Sequence, residues 1–332
     1  MSRTPSMPRL LAKAAPVLHL TRVTTAFAAV SNIWFVILWS RAMAGSGETP
    51  PAALLNLPEW ALLVGGAVVG VGLYAYAVAL NDILDVRRDR ALHPERPLVS
   101  GQLSVESAVT LVACTLLISV VGAAELGVPA VLMASLTAGA ALLFNVGARF
   151  VPAVGLVALG LIYAAHMLIP NPDLAFMWPV WVVMTHALVV GAITHKLGGR
   201  RPLLSRRAIV LAVTGWIFWS AVLLTLGEHR TGAWWPQWVE PRAALWVGLL
   251  VLAFVAFALW KIKTSSNARR ASERLSRYGS LWLALYNTAW LAGAGLQREA
   301  IILGVLAIAG LAGMTALREI YGVIEQPLGY RR

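Results

Sequence analysis

The chain has 332 residues, of which 59% are hydrophobic and 13% charged, with a formal net charge of +12. Its mean hydropathy is +0.73. A soluble domain has about 25% charged residues, so this composition excludes most soluble folds, disorder and coiled coils. The single cysteine, Cys114, excludes a disulfide scaffold. The basic residues fall in short connectors between apolar runs, so the positive charge predicts no nucleic-acid partner.

Apolar runs long enough to cross a bilayer recur along the whole chain. They cover residues 17–44, 60–80, 105–123, 129–146, 151–169, 175–194, 208–226, 243–260, 281–295 and 300–317. The run 281–295 is the weakest, so the sequence predicts nine or ten transmembrane helices. The predicted fold class is all-α, a polytopic integral membrane helical bundle that forms a single domain over residues 1–332.

The basic residues predict how the bundle is oriented. If residues 1–16 form a cytosolic tail and all ten runs span, only four of the 27 Lys and Arg residues lie outside. These four are Arg41, Arg230, Arg242 and Arg298. Basic residues concentrate in cytosolic connectors. We therefore expect the N-terminus and the connectors 81–104 and 195–207 on the cytosolic side of a plasma or bacterial inner membrane.

The densest acidic cluster follows the second apolar run. Asp82, Asp85 and Asp89 are three and four residues apart, and Asn81 precedes them. If the helix continues, the carboxylates share one face and repel one another unless a cation lies between them. Mg²⁺ takes oxygen ligands and keeps substrate phosphates in its shell. Charge at a membrane boundary usually has a function, so the cluster predicts a metal–phosphate site; a solvated helix end paired with arginines is the alternative.

The loop after this cluster carries Arg96, a natural phosphate partner. Residues 81–101 resemble the first aspartate motif of the UbiA-type intramembrane prenyltransferase superfamily. That motif reads Asn-Asp-x-x-Asp-x-x-x-Asp, followed by Arg-Pro-x-x-Ser-Gly, and every position matches. Residues 144–149 resemble the family's aromatic-Asn/Ser-x-x-x-Lys/Arg element, and Arg22 resembles a family arginine that faces the pocket.

The resemblance implies a helical bundle around a central cavity, capped by two cytosolic loops at 81–104 and 195–207. Mg²⁺ and a prenyl diphosphate bind under these caps, and ionisation of the donor gives a carbocation that an acceptor captures. The implied metal ligands are Asp82, Asp85 and Asp89, with Asn81 orienting the site. The implied diphosphate contacts in this half of the chain are Arg22, Arg96 and Arg149.

The family's second acidic motif, Asp-x-x-x-Asp after the sixth helix, is missing. The corresponding segment, 192–202, reads Ala-Ile-Thr-His-Lys-Leu-Gly-Gly-Arg-Arg-Pro. We expect Lys196, Arg200 and Arg201 to contact phosphate in place of a second metal; alternatively, they only set the orientation of the bundle. His195 is a candidate general base, and a capping role at the helix end is its alternative.

The leading prediction is therefore a Mg²⁺-dependent enzyme that transfers a prenyl group from an isoprenoid diphosphate to an aromatic or lipid acceptor, surrounded by membrane lipids. One alternative is a non-catalytic UbiA-like protein that binds lipid or isoprenoid or assists transport, with the EboC-like branch as its place in the superfamily. Another is a phosphoribosyl-type transferase that acts on polyprenyl phosphate.

Overall fold

The computed structural model describes residues 16–325, apart from 19, 23, 24, 93 and 95, with the backbone alone for 92 and 317–325. The predicted tail, 1–16, lies outside this part except for its last residue. No β-strand occurs within the described residues. The helices are α1 (Phe27–Ala42), α2 (Ala52–Asn56), α3 (Glu59–Leu84), α4 (Val86–Leu92), α5 (Val105–Glu125), α6 (Val128–Val146), α7 (Pro152–Met167), α8 (Trp178–Leu197), α9 (Arg206–Thr231), α10 (Arg242–Thr264), α11 (Ala268–Gly293) and α12 (Gln297–Glu325).

Seven of the described helices are long and apolar enough to cross a membrane: α3, α5, α6, α8, α9, α10 and α12. Helices α1 and α7 are apolar but have 16 residues each. Helix α11 begins well before the predicted run 281–295, and its first turns are polar. This architecture confirms the predicted all-helical membrane bundle, whereas the count of nine or ten spans stays a prediction.

Helix α1 lies at the centre of the bundle. Phe35, Leu38 and Trp39, each 1% exposed or less, pack into a core shared with α7, α8 and α11. Ile33 and Ile37, both fully buried, pack into a second core shared with α3 and α6. Because α1 is buried on all sides, its sequence is apolar all round rather than amphipathic, and it joins the two halves of the bundle.

The first apolar run is broken at Arg22 rather than forming one helix over residues 17–44. Arg22 has φ +44°, a left-handed conformation that non-glycine residues rarely adopt. The backbone N–H and the hydroxyl of Thr25 both donate to Arg22 O at 3.0 Å, and α1 begins two residues later, at Phe27. The break turns the chain so that the Arg22 side chain reaches the end of α3.

The opposite end of the bundle, called the far end below, is held together by Glu48. This carboxylate is 3% exposed. It accepts hydrogen bonds from Trp39 Nε1 at 3.0 Å and from the backbone N–H groups of Ala175 at 2.9 Å and Phe176 at 3.0 Å. Burial raises the pKa of Glu48, although these bonds and the charge of Arg230 oppose the shift. Glu48 therefore ties the loop after α1 to the loop before α8.

Candidate functional site

The acidic cluster lies where α3 ends, and it is not part of one continuous helix. Asp85 is the C-cap of α3, with φ −90° and ψ −2°, and α4 begins at the next residue. Asp82 and Asp89 are buried, 3% and 4% exposed. The three carboxylates form two separate groups of ion pairs, because Asp82 and Asp89 contact Arg96 whereas Asp85 contacts Arg149.

Asp82 and Asp89 meet at a single nitrogen of Arg96. Arg96 Nη1 lies 2.5 Å from Asp89 Oδ2 and 3.3 Å from Asp82 Oδ1. Arg22 Nη2 donates to the same Asp82 oxygen at 3.1 Å. The Arg22 side chain is 45% exposed, whereas that of Asp82 is 4% exposed. Two buried carboxylates and two arginines thus form one ion-pair network, with Arg22 at its solvent side.

Asp85 belongs to a second ion pair, with Arg149. Arg149 Nη2 donates to Asp85 Oδ1 at 2.7 Å and Nη1 donates to Asp85 Oδ2 at 3.0 Å, which is the bidentate geometry of strong Arg–carboxylate pairs. Nη1 also donates to Asn81 Oδ1. The two charged side chains are 13% and 14% exposed. Arg149 Nε is buried and has no hydrogen-bond partner among the described residues.

Asn145 explains why Arg149 reaches α3. Asn145 is 4% exposed and its Nδ2 donates to Ala77 O, on α3, at 3.3 Å. This contact fixes the end of α6 beside the end of α3. The 3₁₀ turn Ala148–Phe150 then carries Arg149 toward the aspartates, and the Phe150 ring lies 4.9 Å from the guanidinium carbon. Asn145 therefore holds α6 against α3, whereas Arg149 forms the ion pair with Asp85.

The basic segment predicted as the second cap, 195–207, begins in the last turn of α8, and its first part, residues 195–202, is called the α8 turn below. His195 Nε2 is 2.9 Å from the carbonyl oxygen of Pro202, so the imidazole fastens the turn through this nitrogen. Lys196 and Arg201 are exposed and form no ion pair with the described residues. The turn therefore presents its positive charges without acidic partners of its own.

Arg200, in the α8 turn, lies among other cations. Desolvation, and then the charges of Arg22, Arg88 and Arg96, lower the pKa of Arg200. The residue still reaches the surface at this end of the bundle. The effect of their charges indicates that these three arginines lie at the same end of the bundle as Arg200.

The carboxylates at this end suit a site in which two of them, rather than all three, hold one divalent cation. Within the described part of the chain, no three His, Cys, Asp or Glu side chains lie close enough to hold a metal ion together. Asp82 and Asp89 nevertheless both contact Arg96 Nη1, so the position of this nitrogen is one at which two carboxylates stabilise a positive charge. Mg²⁺ is commonly held by one or two carboxylates plus substrate phosphates. Two carboxylates that already share one positive charge therefore suit Mg²⁺.

Four residues that contribute to this end of the bundle were not predicted as site residues from the sequence. Tyr74 and Thr25 share a hydrogen bond of 2.6 Å between their hydroxyls, which braces the break that precedes α1. Arg88 adds its charge to the network. Ser272 Oγ donates to the carbonyl oxygen of Thr194 at 2.9 Å and holds the end of α8. Only Arg88, next to the aspartates, had a signal in the sequence, because the others act between helices that no spacing connects.

The chain is similar to known proteins over most of its length. The model of the UbiA prenyltransferase family matches residues 33–281. A structure from a study of digeranylgeranylglyceryl phosphate synthase gives a TM-score of 0.52 at 17% identity, over 85% of this chain and 99% of that chain. A UbiA homologue from Archaeoglobus fulgidus bound to DMAPP and Mg²⁺ gives 0.41 at 16% identity, over 90% and 99% of the two chains. At such identities the structural likeness concerns the fold alone, and no curated protein sequence matches the chain.

Proposed function

The chain belongs to the UbiA prenyltransferase family, and from this premise we propose that it transfers a prenyl group from a prenyl diphosphate to an acceptor within the membrane, with Mg²⁺ as its cofactor. One observation carries the proposal. Two buried carboxylates, Asp82 and Asp89, converge on one cationic nitrogen at the end of an apolar bundle. Buried charges in a membrane protein are costly and usually serve function.

The carboxylates take different roles in this proposal. Asp82 and Asp89 are the side chains that would hold Mg²⁺. The sequence also suggested Asp85 as a ligand, but its bidentate pair with Arg149 favours a role in orienting that arginine. Asn81 supports the same orientation through its bond to Arg149. When bound, Mg²⁺ would neutralise phosphate oxygens and so make the diphosphate a better leaving group.

The arginines would hold the diphosphate. The allylic C–O bond breaks, and its electron pair leaves with the phosphate oxygen, so negative charge grows on that group. Arg22, Arg96 and Arg149 would donate hydrogen bonds to these oxygens, and preorganised donors of this kind stabilise developing charge. Arg96 would exchange its carboxylate partners for phosphate. The basic side chains of the α8 turn, Lys196, Arg200 and Arg201, complete the proposed phosphate-binding set.

The acceptor would then attack the positive prenyl carbon and lose a proton. The apolar interior of the bundle would surround the prenyl chain and exclude water, which would otherwise quench the cation. His195 remains the candidate base of the α8 turn, but its bond to Pro202 favours the fastening role, because that bond engages Nε2.

The site would face the cytosol. This orientation is supported by the distribution of arginines over the two ends of the bundle. Arg41 donates to the carbonyl oxygens of Leu54 and Leu57, and Arg230 donates to that of Leu174, so both stabilise far-end loops. The arginine-rich end carries Asp82 and its partners. Basic residues concentrate on the cytosolic side, which supports a cytosolic position for the site.

A second candidate function is binding of an isoprenoid phosphate without transfer. The observation in its favour is that arginines already neutralise all three described carboxylates of the cluster. Such a site needs no metal to balance its carboxylates, and the further arginines at this end, Arg88 and Arg200, would attract an anion. The phosphoribosyl-type alternative uses the same network with a different diphosphate donor.

The purified protein in lipid nanodiscs tests these functions. It would be incubated with Mg²⁺ and radiolabelled prenyl diphosphates of several lengths, with a membrane lipid extract as the acceptor source, and diphosphate release and labelled product would be measured. We expect release by the wild type and its loss in Asp82→Asn and Asp89→Asn. Asp173→Asn is the matched control, because Asp173 is 80% exposed at the far end.

The outcomes separate the candidates. Binding of prenyl diphosphate without release, for every donor length, would exclude transfer and favour the binding protein. Release of diphosphate only from phosphoribosyl diphosphate, in the presence of polyprenyl phosphate, would favour the third reading. Release that survives both aspartate substitutions would contradict the assigned site.

A further inference from the structure

Arg22 has a backbone conformation that depends on support from its neighbours. Its φ of +44° lies in the left-handed region, and a residue other than glycine persists there only where the surrounding structure holds it. The Arg22 side chain is 45% exposed, so side-chain entropy and solvent weaken the hold of its ion pair with Asp82 on the backbone. The support must therefore come from groups that contact the chain on either side of Arg22.

The chain before the break is held by packing. Leu20 is fully buried, and it packs into a small core with Ala79, on α3, and with Leu98, in the connector that carries Arg96. A buried leucine resists displacement, because moving it exposes apolar surface or leaves a cavity. Leu20 therefore seats the chain against α3 two residues before Arg22.

The chain after the break is held by two hydroxyl groups, those of Tyr74 and Thr25, called the hydroxyl relay below. Thr25 Oγ1 donates to Arg22 O at 3.0 Å, and the backbone N–H of Thr25 donates to the same oxygen at 3.0 Å. The Tyr74 hydroxyl lies 2.6 Å from Thr25 Oγ1. A hydroxyl has one proton to donate, and that of Thr25 is engaged with Arg22 O. Tyr74 is therefore the donor to Thr25, and the relay runs from Tyr74 through Thr25 to the carbonyl of Arg22.

The hydroxyl relay connects Arg22 to the same helix that carries its carboxylate partner. Tyr74 and Asp82 both lie on α3, eight residues apart, which is about 12 Å along a helix axis. Tyr74 acts on the backbone of Arg22 through Thr25, whereas Asp82 Oδ1 accepts from Arg22 Nη2 at 3.1 Å. In a chain of hydrogen bonds each bond polarises the next. Helix α3 thus holds both ends of this arginine.

We propose that Tyr74 is a positioning residue for diphosphate binding: through Thr25 it keeps the backbone of Arg22 in the left-handed conformation and the guanidinium beside Asp82. The inference rests on the proposed function, in which Arg22 donates to the diphosphate. A guanidinium that is already in place loses less conformational freedom when it binds phosphate, so it binds more tightly than a mobile one. Without the hydroxyl relay, residue 22 would relax to an ordinary backbone conformation and its side chain would leave the site.

Tyr76, two residues further along α3, has a hydroxyl with a different task. It is 6% exposed, and its hydroxyl donates to Ala138 O, on α6, at 3.4 Å. Tyr74 and Tyr76 therefore share a helix, a side-chain type and a hydrogen-bonded hydroxyl. The bond of Tyr76 leads to α6, whereas that of Tyr74 leads to Arg22, so Tyr76 offers a matched comparison.

The test is a double-mutant cycle on the binding of inorganic diphosphate with Mg²⁺, measured by calorimetry on the full-length protein in nanodiscs. Tyr74→Phe should weaken binding by about three- to tenfold, the factor that corresponds to one net hydrogen bond. In an Arg22→Gln background the same substitution should change the affinity by less than about twofold, because the guanidinium that the relay positions is already gone. Thr25→Val should behave as Tyr74→Phe does, whereas Thr25→Ser, which keeps the hydroxyl, should restore wild-type binding.

The control is Tyr76→Phe, which should change the affinity by less than about twofold in both backgrounds. Equal losses for Tyr74→Phe in both backgrounds would leave Tyr74 a general structural role and overturn the inference. Unchanged affinity in Tyr74→Phe, in Thr25→Val or in Arg22→Gln would also overturn it. In each of these cases the proposed function survives, because it has other diphosphate ligands. Absence of diphosphate binding by the wild type would refute both.

Discussion

Arg149 holds Asp85 through both of its terminal nitrogens, at 2.7 and 3.0 Å, across the gap between the end of α3 and the turn after α6. Because of this pair, Asp85 contacts the turn after α6 and not the arginine that the other two aspartates of its motif share. Asp85 is also the C-cap residue of α3. One ion pair therefore determines which carboxylates remain for a cation.

The first prediction concerns this pair. Arg149→Ala should lower the free energy of unfolding by about 1–3 kcal/mol, because it leaves a largely enclosed carboxylate without its cation. In a double-mutant cycle, Arg149→Ala and Asp85→Ala should show a coupling of about 1–2 kcal/mol. Unfolding in mixed micelles measures both values. The exposed pair Arg269–Glu273, at 3.5 Å, is the control and should couple by less than about 0.5 kcal/mol. A coupling no larger than the control's would contradict a stabilising pair.

The second prediction concerns the cation. Asp82→Asn and Asp89→Asn should each weaken Mn²⁺ binding, measured by electron paramagnetic resonance as a substitute for Mg²⁺, by at least about tenfold, the loss seen even for groups that only support metal ligands. Asp85→Asn should have a smaller effect on Mn²⁺ binding, because Asp85 is already paired with Arg149. Equal losses for all three variants would restore the three-carboxylate site that the sequence alone suggested.

The third prediction concerns pH and the far end. Burial raises the pKa of Glu48 above its ordinary value of 4.5, so the folded protein binds this proton more tightly than the unfolded chain does. The contribution of Glu48 to stability should therefore be greatest below pH 4.5 and fall as the pH rises through the window between 4.5 and the raised value. Melting temperatures followed by tryptophan fluorescence measure this fall. Glu48→Gln, which cannot ionise, should remove its share of the slope, whereas Asp173→Asn should leave it; the same slope in both variants would speak against Glu48.

The fourth prediction concerns the contact between α1 and α3. A Cβ at Gly70 would lie 3.0 Å from the nitrogen and 3.1 Å from the Cα of Val30, so the two backbones touch. Gly70→Ala should destabilise the bundle by about 1–3 kcal/mol through overpacking. Gly139→Ala, in α6, meets nothing within 4 Å and should be neutral or stabilising by up to about 1 kcal/mol. Similar effects in both variants would argue against close packing of α1 on α3.

The fifth prediction concerns orientation. In a Cys114→Ala background, Ser266→Cys lies at the site end and Ser46→Cys at the far end, and both positions are exposed. An impermeant maleimide added to whole cells should label Ser46→Cys and leave Ser266→Cys unlabelled until the cells are permeabilised. The reverse pattern would place the site outside and refute the orientation derived from basic residues.

Much of the fold could be predicted from the sequence, because long apolar runs have few stable solutions in a bilayer. The predicted runs at 105–123 and 129–146 agree with α5 and α6 to within a few residues. The start of α1 and the start of α11 could not be predicted this way. The first depends on the left-handed Arg22, and the second on polar turns that pack against the end of α8.

The sequence by itself determined the class of protein and the chemistry of the site, since a motif of carboxylates and an arginine at a helix end keeps its residue types whatever the packing. Only the tertiary structure decided the partners. It paired Asp82 and Asp89 with Arg96, and it paired Asp85 with Arg149. The physical reason is that charge and hydropathy are properties of single residues, whereas an ion pair needs two side chains that helix packing alone brings within reach.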